Sequence, residues 1–561
     1  MDLLHYLQKP FSKNIIAARV FFASNINFFL LLWLGWMLFP LFLSGFVSDD
    51  AFNSQIKGIL LHYNISLFDR IVSEISYWLS LGRFNPLNWI FWYSYFYLLP
   101  SLLLFKLFVF FIIYLNLIYF EKILKFITQS GSFSYCVVFL LPILFQFRYW
   151  HDPFLAFASI PLACLLFFFS LYLLIRYIET AKTTYYWYYL LVFLISLLCY
   201  ELSYISPLFY FLIIYLENRS LKKSFLLIAT PIALILLHFM IKGFFTSTSG
   251  LYPGTMFSFN FGNIIEAFYI QLISTFPLTW KLAEGFSNLS FLKINSLDFI
   301  VPAVLTGLVV FLLSTLIASD ENINKYRLRS LITFSLLLIL VPAFIVAISG
   351  HQSELIEAGI GYGYLPVFFQ YFGLASLIFT IIRAINPSAT LSIGIWFIFF
   401  VIISFTRLEN YHVVQESNIV YKYPRELLEA SIKKGILAEV TKNDLIIIDS
   451  KYPSDDSWFY SMVTQKEINV CSINISSKST SISKKNAESY NKKFGTDSFR
   501  RTKFPYCLNY RKWNNFYGLS YHNFSDYKSG QVIFATFEDV NRDQENQRFK
   551  FKRYKIFDIF I

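Results

Sequence analysis

Phe28-Phe29-Leu30-Leu31-Leu32-Trp33-Leu34-Gly35-Trp36-Met37-Leu38-Phe39-Pro40-Leu41-Phe42-Leu43-Ser44-Gly45-Phe46-Val47 is an uncharged run of 20 residues, and Ser48-Asp49-Asp50-Ala51-Phe52-Asn53-Ser54-Gln55 follows it directly. A run of about 20 apolar residues is the length of a transmembrane helix. The two carboxylates therefore stand where the first helix leaves the bilayer. Acids at that depth are costly and are usually functional. The bland alternative is a solvated helix end that stops the span. From there to about Pro86 the chain reads as short amphipathic helices lying along a membrane surface.

The rest of the chain supports a membrane reading. Of its 561 residues 56% are hydrophobic, 20% aromatic and only 15% charged, whereas soluble domains carry about 25% charge. Its 66 Phe and 38 Tyr fall in long runs. The fold expected is a polytopic α-helical membrane protein of about 11 transmembrane helices over residues 1–406, with a small C-terminal α+β domain over 407–561. Spans are placed near 25–46, within 88–120, and near 131–147, 154–175, 185–199, 202–216, 223–244, 299–318, 330–349, 364–382 and 391–406. The first outer loop is 47–87. The N-terminus does not read as a cleavable signal peptide, because its apolar run is long and lacks a small-residue cleavage site.

Basic residues orient the chain. Fourteen fall in the loops assigned inside and seven in the longer outer loops that precede the tail, as the positive-inside rule requires. The N-terminus is expected in the cytoplasm and the tail outside. The tail holds 25 of the 47 basic and 18 of the 35 acidic residues, with strand-like pieces at Leu445 to Ile448 and Gln531 to Phe537 and a helix-like piece at Tyr423 to Ala438. Outside the cytoplasm Cys471 and Cys507 have the option of pairing, with two buried thiols as the alternative. The net charge of +12 suits anionic lipid head groups and gives no case for nucleic acid. The cysteines and the seven scattered histidines have no zinc spacing. A divalent metal is not favoured and no other cofactor is indicated.

With this topology the unusual polar groups gather on the outer face. They are Asp49 and Asp50; Arg83; Arg148, His151 and Asp152; Tyr200 and Glu201; Lys242; His351 and Glu354; Tyr362 and Tyr364; and Gln370. Each also has a plain structural role open to it. Asp152 before Pro153 can cap the fourth span, and Glu201 can sit in a structural ion pair. Arg83 and Lys242 can anchor lipid phosphate, and the three tyrosines can belong to an interfacial aromatic belt. Together, carboxylates, imidazoles and cations at a lipid–water boundary suit transfer of a sugar from a lipid phosphate. The leaving group is already a phosphate, so one carboxylate must take the acceptor's proton and cations must meet the departing charge. Asp50 is placed slightly ahead of Asp49 as the base, because Asp49 lies nearer the span and is the better cap. Asp152 and Glu201 come next, and Arg83, Arg148 and Lys242 are the cations.

An acidic pair after the first span, a long outer loop and an outer C-terminal region resemble the GT-C class of integral-membrane glycosyltransferases. The stretch Ser48-Asp49-Asp50…Gly82-Arg83-Phe84 is similar to bacterial members that decorate O-antigen, the GtrII-like glucosyltransferases among them. That resemblance implies a polyprenyl-phosphate sugar donor, a surface glycan or glycolipid acceptor such as O-antigen, and inversion at the anomeric carbon. It further implies a place in the bacterial inner membrane among its lipids, beside small membrane partners such as a flippase and a donor synthase. No Trp-Trp-Asp motif of the oligosaccharyltransferase type occurs. An O-antigen polymerase or ligase and a lipid-linked sugar flippase or transporter are the competing classes.

Overall fold

A computed structural model describes residues 24–148, 151–218, 220–246, 251–279, 323–359, 363–385, 389–422, 425–426, 429, 445–449, 457–473, 516–522, 533–543 and 548–559. The expected span near 299–318, Tyr362, Cys507 and most of the helix-like piece at Tyr423 to Ala438 lie outside the described residues.

The chain enters through α1 (Ile26–Met37) and, after a bend of 55° at Leu38, continues through α2 (Phe39–Leu43), α3 (Ser48–Asn53) and α4 (Ile56–Tyr63). Pro40 sits in the first turn of α2, where its missing N–H costs nothing. The acid pair lies in α3, past the bend, and α4 stops at Asn64, whose backbone is left-handed. Helix α5 (Leu67–Ser80) starts at a reciprocal capping box between Ser66 and Asp69. None of its residues is buried, and Phe68, Val72 and Tyr77 are exposed. A capped amphipathic helix with an uncovered apolar face suits a membrane surface.

Helix α6 (Pro86–Leu98) is short, and α7 (Leu102–Thr128) runs 27 residues, about 40 Å and ample for a span. The stretch 88–120 therefore holds one long helix and one short one, in keeping with a span plus an interfacial segment. There follow α8 (Gly131–Leu144), α9 (Ser159–Thr180), α10 (Thr183–Cys199), a 3₁₀ turn at Glu201–Ile205, α11 (Ser206–Asn218) and α12 (Leu221–Phe245). After a 3₁₀ turn at Pro253–Thr255 come α13 (Phe261–Ile273), α14 (Lys325–Ile348), α15 (Gln352–Ala358), α16 (Val367–Ile385) and α17 (Ala389–Tyr421).

The molecule is a helical membrane protein. Six described helices are long and apolar enough to cross a bilayer, or seven if the bent pair at α1–α4 is one span. The expected count of 11 is not reached among the described residues. Helices α8, α10 and α11 stand where spans are expected but have only 14, 17 and 13 residues, below the roughly 20 that a perpendicular span needs. The 13-residue α13 has no counterpart among the expected spans.

Aromatic rings knit the bundle. Phe120 on α7, Phe168 on α9 and Phe372 on α16 meet at centroid distances of 4.8 to 5.1 Å. Gly373 lets α16 lie close on α14, since a Cβ there would stand 2.5 Å from the Ser335 carbonyl oxygen. Small residues at such crossings are how helices approach in lipid, where packing replaces the hydrophobic driving force.

Beyond α17, strand β1 (Leu445–Asp449), helix α18 (Ser457–Thr464) and strands β2 (Asn469–Ile473), β3 (Phe516–His522), β4 (Ile533–Asp543) and β5 (Arg548–Ile559) follow. One sheet has the order β2-β1-β3-β4-β5, with β1 parallel to both of its neighbours and the pairs β3–β4 and β4–β5 antiparallel. Helix α18 packs against α4, close to the acid pair in sequence.

Candidate functional site

Two helix ends meet first. Helix α5 ends in a tight turn through Gly82, whose φ is +86°, a conformation open chiefly to glycine. A Cβ at Gly82 would also stand 3.2 Å from Thr255 Oγ1. The turn directs Arg83 inward. Helix α10 stops at Cys199, Tyr200 is extended, and the 3₁₀ turn brings Glu201 to the same place. Arg83 Nη2 donates to Glu201 Oε2 at 3.2 Å and its Nε to Oε1 at 3.4 Å. Asn85 Nδ2 donates to Oε2 at 3.3 Å, and Lys242 Nζ on α12 stands 3.9 Å from Oε1. Two cations thus share one carboxylate. Aromatic rings wall the Arg83 guanidinium: Tyr252 at 5.0 Å, Trp78 at 5.4 Å and Tyr200 at 5.7 Å. His238 bridges the Tyr204 hydroxyl and the Phe84 carbonyl, both at 2.8 Å.

Burial pushes the Glu201 carboxyl upward, but Arg83, Lys242 and the bonds from Arg83 and Asn85 outweigh it and hold it below its ordinary value. Burial works against the Arg83 cation too, but Glu201 together with Tyr200 and Tyr252 more than reverses that.

Tyr252 joins this cluster to a second. Its ring meets His351 edge-on at 5.1 Å, His351 stacks on Tyr364 at 4.9 Å, and the His151 ring lies tilted 4.8 Å from Tyr364. His351 Nδ1 and Glu354 Oε2 are 3.0 Å apart. Gly254 is required here, because a Cβ would come within 2.5 Å of His351 Nε2. Burial lowers the His151 imidazole to about 4, against a smaller upward pull from Glu354.

The acid pair splits. Asp49 is exposed, and it interacts electrostatically with Tyr200, which also walls Arg83, and with Tyr421. Asp50 is 3% exposed; it takes a backbone N–H from Ala158, and its Oδ2 has no hydrogen-bond partner. Lys106 on α7 is 1% exposed, interacts with Asp50 and Asp152, and its Nζ has no hydrogen-bond partner either. Asp152 is buried and collects the amides of Arg148, Phe154 and Leu155 at 2.6, 2.7 and 2.6 Å. Burial still raises its carboxyl to about 6, beyond what those bonds and Arg148 take away.

Every candidate among the described residues belongs to this connected region, but in different roles. Arg148 donates to the Ser274 carbonyl at 2.5 Å and the Tyr371 hydroxyl at 2.8 Å. Gln370 accepts from Gln271 at 2.8 Å and donates to the Ile339 carbonyl at 2.8 Å. Both brace helix ends. The residues that sequence reasoning missed are Lys106, Asn85, Trp78, Tyr204, His238 and Gln271. Lys106 had a signal, being the single charge between Leu102 and Phe120. Among the described residues no three His, Cys, Asp or Glu side chains are grouped to hold a metal ion. No protein-family model matches the chain, and no curated protein matches it.

Proposed function

We propose that this protein is an integral-membrane glycosyltransferase that moves a monosaccharide from a polyprenyl phosphate to a surface glycan or glycolipid. The observation that carries the reading is an exposed carboxylate, Asp49, that interacts with Tyr200, one wall of a cluster holding two cations for one acid, Arg83, Lys242 and Glu201. The excess positive charge suits a phosphate monoester or diester. Asn85 Oδ1, buried and without a hydrogen-bond partner, offers an acceptor for a substrate hydroxyl.

In the proposed step the acceptor hydroxyl oxygen attacks the anomeric carbon. The bond from that carbon to the phosphate oxygen breaks, and polyprenyl phosphate leaves with the electron pair. Asp49 takes the acceptor's proton, and Arg83 and Lys242 meet the charge on the leaving oxygen. Attack from the side opposite the phosphate inverts the centre. Asp49 takes the base role in preference to Asp50 because only Asp49 is exposed. Arg148 has no part in phosphate binding, since it is engaged by Ser274 and Tyr371. The site faces outward in the bacterial inner membrane, and the tail, whose α18 packs against α4, is an α+β unit that meets the acceptor. A thiol introduced at Ser479 should react with an impermeant reagent in intact cells; labelling only after permeabilisation would reverse this orientation.

A second reading, carriage of a lipid-linked sugar across the membrane, draws on the buried Asp50, Lys106 and Asp152. Purified protein in liposomes with polyprenyl-phosphate hexose separates the two. Release of free polyprenyl phosphate together with a glycosylated acceptor supports transfer. Movement of intact donor between leaflets without release supports carriage.

A further inference from the structure

We propose that Lys106 is a positioning residue, the buried counter-charge that holds Asp50 inward and thereby turns Asp49 of the same short helix outward, where it is exposed. Consecutive residues on a helix project about 100° apart, so anchoring one fixes the direction of the other. Asp50 is 3% exposed and Lys106 is 1% exposed. Each has a buried polar atom without a hydrogen-bond partner, Asp50 Oδ2 and Lys106 Nζ. A buried charge with neither partner nor counter-charge is strongly disfavoured. These two groups attract each other, and each offsets part of the cost of burying the other.

The surroundings agree. Lys106 lies in the second turn of α7, at the end of that helix near α3. Helix α3 has only six residues and no side-chain cap, so little within it sets its rotation. The groups facing Lys106 are Asp50, Asp152 and, more weakly, the like-charged Lys422 of the chain just after α17. Asp152 is already held by three backbone amides, which leaves Asp50 as the acid in need of the lysine. From the other side the chain after α17 braces the same loop: Lys422 Nζ donates to the Leu43 carbonyl at 3.0 Å, and Arg425 Nη1 to Ser54 Oγ at 2.7 Å. The role given to Asp49 rests on the transfer reaction proposed above; the pairing of Asp50 with Lys106 does not.

The test is a double-mutant cycle on full-length protein in detergent, with Asp50→Asn, Lys106→Met and both together. Each single change strands a buried charge and should lower the Tm or the yield of folded protein. The double change removes both charges and should recover most of the lost Tm, while transfer stays at least about 10-fold below wild type because no charge pair then fixes the direction of Asp49. Adding Asp49→Asn to the double variant should then abolish the transfer that remains. A double variant no better than the sum of its singles overturns the pairing. A double variant with recovered Tm and wild-type transfer overturns the positioning role, and a residual transfer that Asp49→Asn leaves untouched overturns Asp49 as the group positioned. If the Tm cycle shows the coupling while the wild type transfers no sugar, the pairing stands and the transferase reading falls.

Discussion

Two groups of charges lie within one region and are built in opposite ways. Around Glu201 the charges are about one-fifth exposed, bonded to one another and walled by rings. Around Lys106 they are almost fully covered, and two of the polar atoms have no hydrogen bond. A satisfied and reachable cluster can exchange one partner for a ligand at little cost. A covered cluster cannot, and each member matters chiefly through the geometry it imposes. Under the proposed transfer reaction the difference gives chemistry to the first group and placement to the second, and it divides Asp49 from Asp50 although the two are adjacent.

The largest effect that would sharpen this contrast is expected at Arg83. Arg83→Ala removes the cation with the most contacts and should lower transfer about 10²-fold, as loss of a fixed charge stabiliser does. Arg83→Lys should recover only part of it, because an ammonium cannot lie flat against Trp78, Tyr200 and Tyr252. Steady-state transfer at saturating donor checks both. Equal activity of the lysine and arginine forms would remove the aromatic wall from the account of the site.

Glu201→Ala should cost stability as well as activity. It leaves Arg83 and Lys242 facing each other, a loss of about 3 kcal/mol, at the low end for a buried pair because both side chains keep some exposure. Denaturant or thermal unfolding in detergent measures it. No loss would place Glu201 with weak surface pairs.

Asp152 provides a pH test. Its folded carboxyl is raised to about 6 from an ordinary 3.8. The folded chain therefore holds this proton more tightly than the unfolded chain, and stability contributed here falls as pH rises from about 4 through about 6 and is level above. Asp152→Asn should flatten that part of the Tm–pH curve relative to wild type. It should also cost about 1–3 kcal/mol, because an amide NH₂ turned toward three N–H donors leaves some unsatisfied. A difference curve that stays flat over that window would show that Asp152 is not the titrating group.

The smallest effect belongs to the interfacial helix. Ser66→Ala removes one half of the capping box before α5 and should cost about 1 kcal/mol, with transfer unchanged.

Much of this organisation is legible in the chain. The uncharged run before Asp49, the surface character of the segment after Asn64 and the gathering of scattered polar residues in one region all follow from hydropathy and charge. Three things are not. Helices α10 and α11 part where the expected spans 185–199 and 202–216 do, but what the break serves, the approach of Glu201 to Arg83 118 residues away in sequence, is in no local pattern. The wall of Trp78, Tyr200 and Tyr252 is hidden by abundance: in a chain that is 20% aromatic, three site residues look like the rest. The split of the acid pair needed Lys106, the single charge in the apolar stretch from Leu102 to Phe120, whose partner lies 56 residues away in sequence. Nearness to the span favours Asp50 over Asp49 as the reacting acid; burial reverses that order.

The most direct measurement is transfer from polyprenyl-phosphate hexose by purified Asp49→Asn in liposomes, with its Tm recorded alongside. Asparagine keeps the shape of the side chain and removes its basicity. Loss of a general base typically costs roughly 10²–10⁴-fold, and Asp49→Asn is expected to lose that much with a Tm equal to wild type, because its carboxylate is exposed. Transfer at the wild-type rate by Asp49→Asn would contradict the assignment of the base and the distinction between the two clusters.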